Sequence, residues 1–188
     1  MWSNIVYVID TSYSMGEKYN DLTPRKIDAT RDVLAYTATK LVDAKALVRI
    51  GITVFFSRAY PLIGLTRDRE IITRSINRLR VLGEGSAPGD GLIEAVKMLR
   101  RGGGTKKAII VTDGGFNEGV PLDIAALYAA NSNVVVDVVV LGDFLSERDQ
   151  RLVEFTVKIC NGELFRVANK AELIRTLYRS SSSFPENP

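Results

Sequence analysis

Residues 6–15 read VYVIDTSYSM, and their order decides the fold class. From Ile5 to Ile9 the chain is apolar but for Tyr7, and it then turns abruptly to Asp10, Thr11, Ser12, Tyr13 and Ser14. A run with no polar alternation fits a strand covered on both faces, the central kind in an α/β sheet. The polar residues then emerge at the strand's carboxyl end, where open α/β sheets place their ligands. In a compact turn, positions 10, 12 and 14 can aim one carboxylate and two hydroxyls at one point. All three are hard oxygen donors, the kind that suits magnesium, manganese or calcium.

Downstream, the sequence predicts a helix over 21–43, capped by Thr23, with Pro24 at its first position and Ile27, Leu34 and Leu41 on one stripe. A strand over 47–56 follows. The segment 60–65 carries Pro61 and is too closely connected for a crossover, which makes it an antiparallel edge strand. Next come a helix over 68–79, with Ile72, Ile76 and Leu79 inward and Arg74 and Arg78 outward, a glycine-rich loop over 83–91, and a helix to about Arg100. The second half repeats the alternation: strand 107–112 ending in Asp113-Gly114-Gly115, helix 121–130, the β-branched strand 134–141, helix 146–160 and strand 163–167. Asn169, followed three residues on by Glu172, resembles a capping box opening a last helix that ends near Arg179. Residues 180–188 are polar and proline-containing, and read as a disordered tail to a single domain over 1–179. The expected architecture is a three-layer, doubly wound, Rossmann-like α/β fold. Its six-stranded sheet is mostly parallel, with one antiparallel edge strand and helices on both faces.

Two expected strands end in aspartate, at Asp10 and Asp113. If both are parallel and central, their carboxyl ends share one rim of the sheet. The loop holding Ser86 must come to the same rim, because it joins the helix after the edge strand to the helix before the Asp113 strand. Tyr13, Met15, Phe116 and Phe144 also fall in rim loops, where exposed aromatics suit a partner surface and buried ones simply pack.

Composition removes several chemistries. The 188 residues are 46% hydrophobic and 25% charged, as expected of one globular domain with a substantial core. The chain has no histidine, which excludes a Ser-His-Asp triad and a His-bearing zinc site. Cys160 is the one cysteine, so there is no internal disulfide or cysteine cluster, and its apolar helical context marks it as a packing residue. The net charge of +3 is mild. Arg67, Arg69, Arg74, Arg78 and Arg80 form a basic stretch without interleaved aromatics, which reads as a solvated helix face, and no nucleic-acid partner is expected. No run approaches the ~20 apolar residues of a membrane span. The first strand begins almost at the first residue, with no signal peptide before it, so the expected location is cytoplasmic.

Asp10-Thr11-Ser12-Tyr13-Ser14 is similar to the Asp-x-Ser-x-Ser motif of the von Willebrand factor A (vWA) domain, the family that carries a metal-ion-dependent adhesion site (MIDAS). Val111-Thr112-Asp113-Gly114 resembles the family's later Thr-Asp-Gly strand end, and Gly85-Ser86 sits where it usually carries a threonine. Lys26-Ile27-Asp28-Ala29 and Asn161-Gly162-Glu163-Leu164-Phe165 also have the look of the family. The resemblance spans Ile5 to about Arg179. It implies that Ser12 and Ser14 coordinate an ion directly, that Asp10 and Asp113 hold it directly or through water, and that Ser86 is a direct or water-mediated ligand. The expected ion is Mg2+, or Mn2+, with Ca2+ admissible. Two carboxylates formally neutralise a divalent ion, but with few anionic groups bound directly its electrophilicity is only weakly quenched, so an open sixth position favours an acidic group, which in this family a protein partner's Asp or Glu supplies. Intracellular members of the family often serve multiprotein assemblies, AAA+ ATPases among them.

Two rivals follow from the same residues. A degenerate A domain would bind partners without metal, and serine in place of threonine at 86 keeps that open. A phosphatase of the haloacid dehalogenase kind also puts a nucleophilic aspartate after its first strand, but it needs a general acid two residues on, where this chain has Ser12. A dinucleotide enzyme is excluded because Gly83, Gly85 and Gly89 miss the G-x-G-x-x-G spacing and follow a helix.

Overall fold

A computed structural model describes residues 1–18, 24–44, 47–142 and 145–183. Its strands are β1 (Ser3–Asp10), β2 (Val48–Phe55), β3 (Ala59–Thr66), β4 (Thr105–Thr112), β5 (Val135–Leu141) and β6 (Leu164–Val167). Its helices are α1 (Lys26–Ala44), α2 (Arg69–Ile76), α3 (Pro88–Arg100), α4 (Leu122–Asn131), α5 (Glu147–Ile159) and α6 (Lys170–Ser182). The sheet order is β3-β2-β1-β4-β5-β6, with β2 and β3 antiparallel and every other pair parallel. This is the expected doubly wound sheet with one antiparallel edge strand.

Burial explains why β1 shows no alternation. Ile5, Tyr7 and Ile9 face a core shared with α1, α2 and α6, while Val6 and Val8 face one shared with α3, α4 and α5. With helices on both sides, neither parity of the strand meets water. The chain winds outward from β1 to β3, then returns to lay β4 on the other flank of β1. That reversal opens a crevice at the carboxyl ends of β1 and β4, the place where doubly wound sheets take ligands. Among the described residues no helix is long and apolar enough to cross a membrane.

Four boundaries differ from expectation for local reasons. Helix α1 starts at Lys26, after Pro24, because Arg25 pairs in an isolated bridge with Lys18 and the Lys26 amide donates to the Glu17 carbonyl. Thr23, the expected cap, lies outside the described residues, as does Phe144. Helix α2 stops at Ile76, with Asp68 as its N-cap accepting from the Ile71 amide, although Leu79 beyond it is still buried. Helix α3 begins inside the glycine-rich segment, with Pro88 in its first turn. Glycine is needed there, because a Cβ on Gly89 would overlap the Val120 carbonyl.

The fourth concerns the tail. The expectation that the chain is disordered from 180 onward fails for its first residues: α6 continues to Ser182, and Ser180 and Ser181 are fully buried. Their polarity is absorbed by partners from the sheet, since Ser180 donates to Asp137 at 2.6 Å and Ser181 shares a 2.7 Å hydrogen bond with the Tyr7 hydroxyl. Residues 184–188 lie outside the described residues.

Candidate metal centre

Three backbone devices bring distant donors to the crevice. The first is the turn after β1. Ser12 bridges to Gly83, a single 3₁₀ turn runs over Tyr13–Gly16, and buried Met15 anchors it from below. Met15 therefore packs inward, as does Phe116, while Tyr13 stands 60% exposed beside the site. The second is the 77–87 connector. The Ser86 amide donates to the Asn117 side chain at 2.9 Å, and the Ser86 carbonyl accepts from the amides of Asn117 and Glu118. Gly85 makes the bend with φ of +77°, where any Cβ would come within 2.8 Å of the Glu118 side chain. The third is the end of β4. Thr112 accepts from the Gly114 amide, and Asp149 of α5 accepts from that of Gly115.

The side chains form one hydrogen-bonded network. Asp10 Oδ1 accepts from the Ser12 amide at 2.9 Å, and Asp10 Oδ2 accepts from Thr112 Oγ1 at 2.6 Å and Ser86 Oγ at 3.2 Å. The Ser12 and Ser14 hydroxyls lie 3.1 Å apart, and Ser14 Oγ donates to Asp113 Oδ1 at 2.8 Å. The five residues singled out by sequence, Asp10, Ser12, Ser14, Ser86 and Asp113, thus meet in one place. Sequence reasoning missed two members. Thr112 was read as part of a motif, but its hydroxyl binds Asp10. Lys26, from the start of α1, sets its ammonium 2.8 Å from Asp113 Oδ2 and 3.5 Å from the Ser14 carbonyl. Asn117, which holds Ser86 in place, left no signal in the sequence.

Electrostatics follow from burial. Asp10 is wholly inaccessible, which pushes its carboxyl up to about 6; hydrogen bonds from Ser12 and Thr112 pull the other way, and the neighbouring Asp113 charge adds to the rise. Two carboxylates this close favour a cation between them, and Lys26 already supplies one charge. Among the described residues no three acidic, histidine or cysteine side chains gather into a metal cluster, so any ion here must be held largely by hydroxyls. Such an all-oxygen set suits a hard divalent cation that keeps some water or takes an outside ligand.

The model of the von Willebrand factor type A domain matches residues 5–116. No curated protein matches the chain. Among solved structures, an aerotolerance-related membrane protein from Bacteroides fragilis is 19% identical with a TM-score of 0.76, covering 96% of this chain and 99% of its own. A von Willebrand factor type A protein from Catenulispora acidiphila is 18% identical with a TM-score of 0.77, over 96% of this chain and 42% of that one. Proximal thread matrix protein 1 of the mussel byssus, described with a zinc-occupied MIDAS motif, is 18% identical with a TM-score of 0.74, over 96% of this chain and 45% of that one. At these identities the likeness is one of fold.

Proposed function

The chain belongs to the von Willebrand factor type A domain family, and on that premise we propose that it is a metal-dependent protein-interaction module that binds an acidic residue of its partner through a divalent cation. The observation that carries this reading is the convergence of Asp10, Ser12, Ser14, Ser86 and Asp113, from three separate segments, into one network at the switch point of the sheet. Ser12, Ser14 and Asp113 would hold the ion, with Asp10 and Ser86 behind or beside them. When bound, the ion supplies an electrophilic point that attracts a partner's Asp or Glu. Mg2+ is the first choice on donor chemistry, Mn2+ the closest substitute, and Ca2+ is compatible. The chain's own residues do the rest: Thr112 and Ser86 orient the Asp10 carboxylate, and Asn117 holds the Ser86 loop in register.

Proteins of this family are in general adhesion or interaction modules, not enzymes. A phosphatase acting through Asp10 is disfavoured further, because both of its oxygens are engaged and neither is accessible. Following the family's intracellular members, we place the partner in a cytoplasmic multiprotein assembly, with an AAA+ ATPase as one candidate and nucleic acid as none.

One observation favours a second reading. The Lys26 ammonium already neutralises Asp113, which is what a scaffold binding without metal would need. Calorimetric titration with Mg2+ and Mn2+ separates the two. The metal-dependent reading expects a single site in the native chain, lost in Asp113→Ala and in Ser12→Ala/Ser14→Ala, with folding checked by circular dichroism. Folded native protein that takes up neither ion at millimolar concentration leaves only the metal-free scaffold.

A further inference from the structure

The arginines of residues 67–80 are all exposed, as expected, but they are not equivalent. Arg69 pairs with Asp43, and Arg74 pairs with Glu70 one turn away on α2. Arg78 and Arg80 have no ion-pair partner among the described residues and instead line a cleft of about 590 Å³. The third arginine of this cleft, Arg31 of α1, is held ready by the Leu79 carbonyl at 3.3 Å and Asp28 at 3.0 Å. Among the described residues no acidic side chain lines the cleft, though Asp28 pairs with Arg31 beside it. Its floor is apolar, from Val54, Leu79 and Leu82, and Tyr60 stands 40% exposed at its edge.

Position links this cleft to the metal centre. Thr11, which lines it, sits between Asp10 and Ser12, and the Leu82 amide donates to the Thr11 carbonyl at 2.8 Å. The connector that carries Arg78 and Arg80 ends at Ser86. Arg80 and Ser86 are six positions apart in the chain, so their Cα atoms lie at most about 22 Å apart. An extended peptide of similar length reaches from one to the other.

We propose that the Arg31–Arg78–Arg80 cleft is a second docking pocket, which takes an acidic, partly apolar peptide segment of the partner beside the residue that reaches the metal. Two unpaired guanidiniums, Arg78 and Arg80, ask for carboxylates beside the already paired Arg31, and the apolar floor asks for aliphatic side chains among them, a combination that a bare anion does not satisfy. Only the metal end of this arrangement rests on the function proposed above; the cleft binds by charge and apolar contact of its own.

The test is fluorescence anisotropy with a fluorescein-labelled peptide, Leu-Glu-Gly-Leu-Glu-Glu-Leu-Gly, titrated in Mg2+ and in EDTA at about 0.15 M salt, where long-range attraction is screened. Arg78→Gln/Arg80→Gln should weaken binding at least tenfold in both solutions. Arg67→Gln/Arg101→Gln, with the same change of charge at the opposite end of the sheet, should change it less than twofold. Both side-chain pairs are exposed, and circular dichroism confirms that the variants fold. The proposal is overturned if the two double variants bind alike, if a peptide with glutamine for glutamate binds as well as the original, or if only a phosphoserine version binds. The metal reading fails separately: if EDTA leaves native binding unchanged while Arg78→Gln/Arg80→Gln still weakens it, the cleft stands without the ion.

Discussion

Lys107→Met should be among the most destabilising single changes in this chain. The Lys107 ammonium is buried, 2.7 Å from Asp137 Oδ2, with side chains 4% and 2% exposed. It also donates to the carbonyls of Ser180 at 2.7 Å and Ser183 at 2.9 Å, so its three protons satisfy one carboxylate and two carbonyls at the end of α6. Removing it frees those carbonyls and leaves Asp137 buried with two donors, Ser180 Oγ and the Glu163 amide. Breaking a buried pair from one side costs about 3–5 kcal/mol. The two surviving hydrogen bonds on Asp137 put the expected cost near the lower end, about 3 kcal/mol. With a urea slope of about 2 kcal/mol/M, that moves the midpoint down by about 1.5 M. The double variant Lys107→Met/Asp137→Leu removes both charges and should recover at least about 2 kcal/mol of the summed single losses, since neither partner is left stranded. Urea unfolding followed by circular dichroism measures all three variants. Single variants that each cost under about 1 kcal/mol, or a strictly additive double, would refute the claim that this pair secures the last turn of α6.

The candidate metal centre should show a pH signature whose sign depends on the ion. In metal-free protein, Asp10 keeps its proton to about pH 6, while the unfolded chain has lost it near 4. Stability therefore falls as pH rises through that window, by up to about 3 kcal/mol from this group, and levels off above it. Mn2+ takes the carboxylate form, so its affinity should drop about tenfold per pH unit below about 6; a flat calorimetric profile would contradict this. Lys26→Met removes a positive charge 2.8 Å from Asp113 and should raise Mn2+ affinity about tenfold, while Lys26→Arg stays near native; weaker binding in the methionine variant would sink the idea that the ammonium competes with the ion. Burial pushes the Cys160 thiol up to about 11, and Cys160 is 2% exposed, so Ellman's reagent should react with it only slowly in the native protein and with one thiol per chain after guanidinium unfolding.

What could be read from sequence was what local order encodes. β1 was legible because a strand covered on both faces has no polar parity, and residues 5–9 show none. Asp10, Ser12, Ser14 and Asp113 were legible because they end strands whose direction the strand–helix alternation implies. Ser86 followed from connectivity, since its loop had no other rim to reach. The missing parts are all tertiary. Lys26 and Asp113 are 87 positions apart, and nothing near either one announces the pair. Arg31 belongs to a different helix from the arginine stretch, so the stretch read alone gives no sign that two of its exposed members, Arg78 and Arg80, share one cleft with it. The run of serines after Arg179 looks disordered by composition, yet Asp137 and Tyr7 from two strands give Ser180 and Ser181 partners that no composition rule can see.

β4 ties these polar features into one design. Lys107 lies near its start and Asp113 just past its end, six residues and about 20 Å apart along the strand. The Lys107–Asp137 pair carries opposite charges 2.7 Å apart, which nearly cancel when seen from that distance, so it acts on the acidic cluster only weakly as charge. One end can then hold a buried, fully satisfied ion pair that secures α6. The other end can keep an acidic network of Asp10 and Asp113 that Lys26 only partly neutralises, without the first making up its electrostatic deficit. On the function proposed above, Asp113, shared between Ser14 and Lys26, is where an entering ion would have to displace or tolerate the ammonium, and a partner's carboxylate would then arrive beside a lysine and, within reach, the arginine cleft. Lys26 and the arginine cleft put positive charge on both sides of the proposed ion, and an acidic partner is the one that the proposed function expects there.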